Sequence, residues 1–529
     1  MTKTIQAEKK IKLTGDPFAN TGLAVLSYLS GHNDIEYLTL DDIKKVYGDG
    51  KELARINTMS SCAFSLFPNS LLTHNSRRKD MTQLTITYNQ MTDSLIDNIG
   101  KEDINHFCEV CGNTKSLDID KLPRPPQNTK NKRKSPKIET EVRYFGRDWF
   151  PLLGSMQKDA QALPGASRPF HVCATCLFAV QYLPQAVFSV FINGKSRLAI
   201  YQCTSIPFWY RLVTDVVKKT QEMIATPIDG KIHTEGRGEG YSTVIRRILL
   251  AMDALHLEKR ESDLHPDTII ELIKFTNFGS EADSNTDIIP SSALNFIRNA
   301  LTYNLGEEIL QLINNEQSRK ASKGQKKKTG FHPRNMLINR LLRYDDYRPL
   351  YPRTIQVEVR NEKGKIEKHP KDLPGASSNL FSLYQSMILG VSTKSLNSAW
   401  IIASYIHKNT SPEELNNIRK DTESDRDKQT MIKKFMVKMV EEGKLNFSEY
   451  SELFLTNDRI PRIKKHTWKI LHYYLHNLFP TAPFSKDMNW TNIDNTTQTN
   501  MYILSQNDTL SIVILDLLYS RIVDCTDLQ

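Results

Sequence analysis

An α+β fold is predicted for this chain: a mixed N-terminal region carrying an inserted module built on two CxxC pairs, followed by a C-terminal helical bundle. Three observations predict it. Residues 186–192 and 196–202 are strand-like apolar runs. Cys108/Cys111 and Cys173/Cys176 bracket a long polar stretch. From Ser377 onward, apolar residues recur at i, i+3 and i+4, the spacing of a helix with one buried face.

In chain order, Thr14-Gly15-Asp16-Pro17-Phe18 is a turn signal, and the apolar run Leu23–Leu29 follows it. That run predicts a short buried helix, capped by Thr21 and ended near Gly31. Leu84-Thr85-Ile86-Thr87-Tyr88 alternates and predicts a strand. From Tyr241 helices are expected to take over: Ile245, Ile248, Leu249, Met252 and Leu255 keep a 3.6-residue period, with Ser242 or Thr243 as cap. Residues 343–360 predict a turn and a strand leading into a polar hairpin at 361–365. Leu380, Leu383, Tyr384, Met387, Ile388 and Val391 begin the helical series. Met431, Ile432, Phe435, Met436, Met439 and Val440 continue it, and Trp468, Leu471, Leu475 and Leu478 close it. The expected divisions are an N-terminal α+β region over 1–103, the cysteine module over 104–183, a continuation of the first region over 184–376, and the bundle over 377–529.

The chain has 529 residues, enough for two to four cores at about 100–200 residues each. No stretch approaches the roughly 20 apolar residues of a membrane span. The N-terminus lacks the apolar core of a secretory signal, so a cytoplasmic location is expected. A formal charge of +10 favours polyanionic partners, because each cation that neutralises a phosphate releases a counterion.

Seven cysteines comprise the two pairs plus Cys62, Cys203 and Cys525. Cys108-Glu109-Val110-Cys111-Gly112 has the form of a zinc knuckle: two thiolates can grip one tetrahedral ion while the glycine permits the tight turn. Cys173-Ala174-Thr175-Cys176 precedes an apolar, helix-like segment whose N-terminus would help keep the thiols ionised. Four thiolates leave no open position, so the expected cofactor is a structural Zn2+. The 61 residues between the pairs (112–172) exceed the gap usual in such sites, about 15–20 residues. Two unrelated turns, or a redox pair, is the competing reading, and His106 or His171 could replace a cysteine ligand.

Two lysine-rich runs contain no acid. Arg124, Lys130, Lys132, Arg133, Lys134 and Lys137 lie in the first; Arg319, Lys320, Lys323, Lys326, Lys327 and Lys328 lie in the second. Arg462, Lys464 and Lys465 belong to a third cluster. All are candidate phosphate contacts; the two runs read equally well as solvated loops, and the third cluster reads better as ordinary helix-surface charge. HExxH, a P-loop and a GxSxG elbow are missing from the sequence, so catalysis is not expected.

The opening Thr14–Gly22, the paired cysteines and the helical C-terminal third together resemble the CXXC–CXXC family of CRISPR-associated proteins, the large subunit of type I-A/I-B Cascade. Asn20 stands where an acid is common in that family's opening motif. The resemblance implies a non-enzymatic subunit that contacts the protospacer-adjacent motif of duplex DNA, supports R-loop opening and recruits a helicase–nuclease or a transposition adaptor. It also implies guide-RNA-bearing partner subunits and no membrane. A C-terminal bundle similar to the complex's small subunit is implied as well, with Met387 or Met431 as a conceivable internal start. The competing functions are a free-standing zinc-stabilised nucleic-acid-binding protein and an unrecognised nuclease.

Overall fold

The computed structural model describes residues 10–68, 70–73, 81–123, 143, 145–153, 170–192, 195–227, 232, 240–260, 263–278, 281–317, 336–360, 366–373, 375–419, 426–446, 448, 453–455, 462–463 and 465–477. It is a mixed helix-and-sheet structure, and the described residues fall into two compact units divided after Ser291.

The first unit opens with α1 (Pro17–Leu29), α2 (Leu40–Tyr47), α3 (Lys51–Met59), α4 (Ala63–Leu66) and α5 (Met81–Asn98). After the cysteine region come α6 (Ala174–Tyr182), β1 (Phe188–Ile192), β2 (Lys195–Cys203), α7 (Ile206–Ala225) and α8 (Gly240–Leu257). The hairpin β3 (Ile270–Phe278) and β4 (Glu281–Ile289) completes an antiparallel sheet of order β1-β2-β3-β4. In its register Phe188 faces Ala199 and Leu198 faces Phe275. The expectation that helices take over from Tyr241 misses this hairpin. Ile270 and Leu272 alternate inward, but polar β4, with Asp283, Asn285 and Asp287, has no apolar stripe to announce it.

Two further expectations are corrected. Leu84–Tyr88 lies inside helix α5, where Leu84, Tyr88, Met91 and Leu95 make one buried face. Two β-branched threonines beside Ile86 imitate a strand locally, and the packed 3.6-residue stripe overrides them. Thr21 does not cap α1: Asp16 does, accepting the Ala19 N–H at 2.8 Å, with Pro17 in the first helical position. The Thr21 hydroxyl instead donates to the Pro17 carbonyl inside the helix. Likewise α8 starts at Gly240, so Ser242 and Thr243 lie within its first turn rather than before it. The two central strand runs, by contrast, are observed as β1 and β2.

The second unit contains α9 (Ser291–Thr302), α10 (Gly306–Gln317), α11 (Met336–Arg343) and the hairpin β5 (Arg353–Arg360)/β6 (Ile366–Leu373). It continues with α12 (Ser378–Met387), α13 (Thr393–Asn409), α14 (Pro412–Arg419) and α15 (Arg426–Glu441). The short pair β7 (Phe454–Leu455)/β8 (Arg462–Ile463) precedes α16 (Lys465–Asn477). Ser377 caps α12 and donates to Glu308 on α10, while Phe381 stacks on Tyr473 with centroids 3.5 Å apart. Tyr384 meets Phe296 edge-on and donates to the Asp345 carbonyl, so α12 is packed from several sides. Among the described residues no helix is long and apolar enough to cross a membrane.

Candidate metal centre

The centre is assembled from a knuckle and a helix end. At the knuckle, the Gly112 N–H donates to the Cys108 carbonyl at 2.8 Å, and the Cys108 N–H donates to the Asn113 carbonyl at 2.8 Å. This double closure needs the left-handed backbone that Gly112 adopts, φ +71°. An antiparallel bridge between Ile104 and Ser116 ties the two sides of the knuckle together.

The second pair is carried by α6. Cys173 occupies the N-cap and Cys176 lies in the first helical turn, so the helix starts between the two thiols rather than after them. The first turn's N–H groups and the positive end of the helix dipole therefore face the sulfurs. Backbone bonds lock the halves across the insertion: Leu117 N–H to the Val172 carbonyl at 2.9 Å, and Glu109 N–H to the His171 carbonyl at 2.9 Å. Glu109 returns the contact by accepting the His171 N–H at 3.0 Å, and the Cys173 N–H donates to Cys108 Sγ at 3.2 Å.

The result is one cluster in which the sulfurs of Cys108, Cys111, Cys173 and Cys176 all lie within 4.8 Å of one another. Cys108–Cys176 and Cys111–Cys173 are 4.0 and 3.6 Å apart. These are not disulfides, whose sulfurs sit at about 2.05 Å. Sulfurs at about 2.3 Å from a tetrahedral ion are about 3.8 Å from each other, which matches the observed spacing. The donor set therefore fits a single thiophilic metal ion. Side-chain contacts with Cys111, Cys173 and Cys176 hold Cys108 far below the usual thiol range, and the contact with Cys108 first of all holds Cys176 far above it. His106 and His171 stack on each other, centroids 4.2 Å apart, and stay outside the four-sulfur group.

The opening turn begins α1, which packs on α6 where Gly22 meets Ala179. Burial raises the Asp16 carboxyl above its ordinary range against the N–H bonds from Ala19 and Phe18, and the charge on Cys108 adds to the rise. Asn20 clamps the turn: its Oδ1 accepts the Thr14 N–H (2.7 Å) and hydroxyl (2.9 Å), and its Nδ2 donates to the Thr14 carbonyl. Phe18 packs edge-on against Phe275 and Phe150. The Asp16 cap and the Asn20–Thr14 clamp both fix the start of α1.

Part of the long insertion belongs to the same core, which the sequence reading missed. Phe145, Trp149 and Phe150 are buried, and Phe150 also meets Phe170. The close aromatic spacing of Phe145, Trp149 and Phe150 was the available signal.

The basic residues are another matter. Arg124, Lys130, Lys132, Arg133, Lys134, Lys137, Arg319, Lys320, Lys323, Lys326, Lys327, Lys328 and Lys464 lie outside the described residues. Arg462 is placed on β8 and Lys465 at the start of α16, by backbone only. Lys469 on α16 is paired with Asp346. No protein-family model, curated protein or solved structure matches this chain.

Proposed function

We propose that the chain is a non-catalytic, zinc-stabilised large subunit of a type I CRISPR Cascade complex, acting in the cytoplasm. The observation that carries the proposal is the packing together of two sequence motifs: helix α1, opened by the Asp16–Phe18 turn, packs through Gly22 on α6, which carries Cys176 of a four-cysteine cluster closed across 61 residues. Those motifs are the ones on which the resemblance rests. Zinc suits the site because four soft thiolates with tetrahedral spacing leave no open position for a reacting water.

In this reading the ion is structural, and the lysine-rich runs hold a phosphate backbone without reading bases. Guide-RNA pairing supplies sequence specificity, while this subunit contacts the short motif on duplex DNA and receives a helicase–nuclease or transposition adaptor. The helices after Ser377 take the place of a bundle similar to the small subunit, tracking the displaced strand.

Co-expression with a candidate CRISPR operon and purification through this chain tests the reading. A guide RNA of uniform length and repeated backbone subunits should co-purify. A chain that emerges alone, with zinc and no RNA, favours a free-standing nucleic-acid-binding protein. Metal-dependent cleavage by the purified chain would favour a nuclease.

A further inference from the structure

The last turns of α16 place two histidines on one face. His472 and His476 are four residues apart, the spacing that brings side chains together on a helix. Their Nε2 atoms are 3.2 Å apart and their ring centroids 4.3 Å apart. Two identical imidazole nitrogens at that distance repel if both present lone pairs or both present N–H groups. The contact is satisfied when one ring donates to the other, or when a cation lies between them.

The spacing also has the bite of a metal chelate. Two imidazole nitrogens at about 2.1 Å from one ion are about 3.0 Å apart at a right angle and about 3.4 Å apart at the tetrahedral angle. The observed 3.2 Å lies between these values. The backbone under the pair is anchored, because the intervening Tyr473, Tyr474 and Leu475 are buried. The Tyr473 hydroxyl donates to the Ala376 carbonyl at 2.6 Å and its ring stacks on Phe381. Both histidines remain only partly buried. The turn is therefore held by its opposite face, and both imidazoles are partly exposed.

We propose that His472 and His476 form a two-nitrogen site for a divalent transition-metal ion, separate from the four-cysteine cluster and independent of the Cascade reading. Neutral imidazoles without thiolates select ions of the nickel, copper and zinc class, and the remaining coordination positions stay open to water or to an added ligand.

The test titrates Ni2+ into the untagged full-length chain with its cysteine cluster already metal-loaded. Calorimetry counts binding, and a zinc indicator follows release. One further equivalent of Ni2+ is expected, without zinc release. It should vanish in His472→Asn and His476→Asn and persist in His407→Asn, a control on exposed α13 surface. Should either variant fold poorly, diethylpyrocarbonate labelling of the unaltered chain gives the same answer: Ni2+ should shield His472 and His476 and leave His407 reactive. No further equivalent, an equivalent that survives both variants, unshielded His472 and His476, or uptake matched by zinc release would each overturn the proposal.

Discussion

Asn20 shows how one side chain can make a motif structural. Its amide accepts twice and donates once to Thr14 while only 4% exposed. A carboxylate could keep the two accepted bonds but not the donated one, and it would bring a buried charge. Asn20→Asp is therefore expected to cost about 1–3 kcal/mol, read as a lower urea midpoint at unchanged slope. An unchanged midpoint would remove the clamp from the account. Asp42 works differently, on a partly exposed helix start. Donation from the Thr39 hydroxyl, assisted by His32, holds its carboxyl below the ordinary value of 3.8. A depressed folded pKa means that its contribution is complete above pH 3.8 and fades as pH falls through the lower folded value. Asp42→Asn should cost about 1 kcal/mol at pH 7, the scale of a helix cap, and its stability curve should converge on that of the parent chain as pH falls below the lowered folded value.

At the scale of elements, the crossing of α1 over α6 is closed by an absent side chain. A Cβ on Gly22 would stand 2.0 Å from the Ala179 carbonyl oxygen, where backbone would have to move. Gly22→Ala should destabilise by about 3 kcal/mol or more, the upper range of overpacking, and calorimetry would show it as a lower Tm. Since α6 carries Cys176, looser metal retention against a chelator is expected in the same variant. In the second unit, α12 is joined to α16 by the Phe381–Tyr473 stack and the Ser382–Tyr474 hydroxyl contact. Phe381→Ala should cost about 3–5 kcal/mol by opening that seam. The same packing bears on an internal start. Translation from Met387 would omit nearly all of α12, and from Met431 also α13 and α14. A short C-terminal product from either start is expected to be degraded or insoluble, and a stable band on a gel would refute this.

Taken whole, the described residues fall into two compact units, and the cysteine cluster lies in the first. Calorimetry of the metal-loaded protein should resolve two transitions. Chelation should lower one and leave the other unchanged, because metal bound only by the folded state stabilises only the unit that folds around it. If both transitions move together, the two cores do not unfold independently.

Short-range chemistry was readable directly from the residues. CxxC spacing and the following Gly112 specify a metal-gripping turn, and central strand runs and apolar periodicity announce β1, β2, α12, α15 and α16, because each depends on neighbours a few positions away. Three features depended on more than the local run of residues. The four sulfurs meet because Leu117 pairs with Val172 and Glu109 with His171 across the insertion. Residues 84–88 are helical because their buried face continues to Leu95, although the local run is β-branched. Polar β4 is a strand because β3 offers it an edge of free backbone groups. In each case the decisive energy is gained only when a wider surface or backbone ladder forms, and a short run of residues shows only part of it.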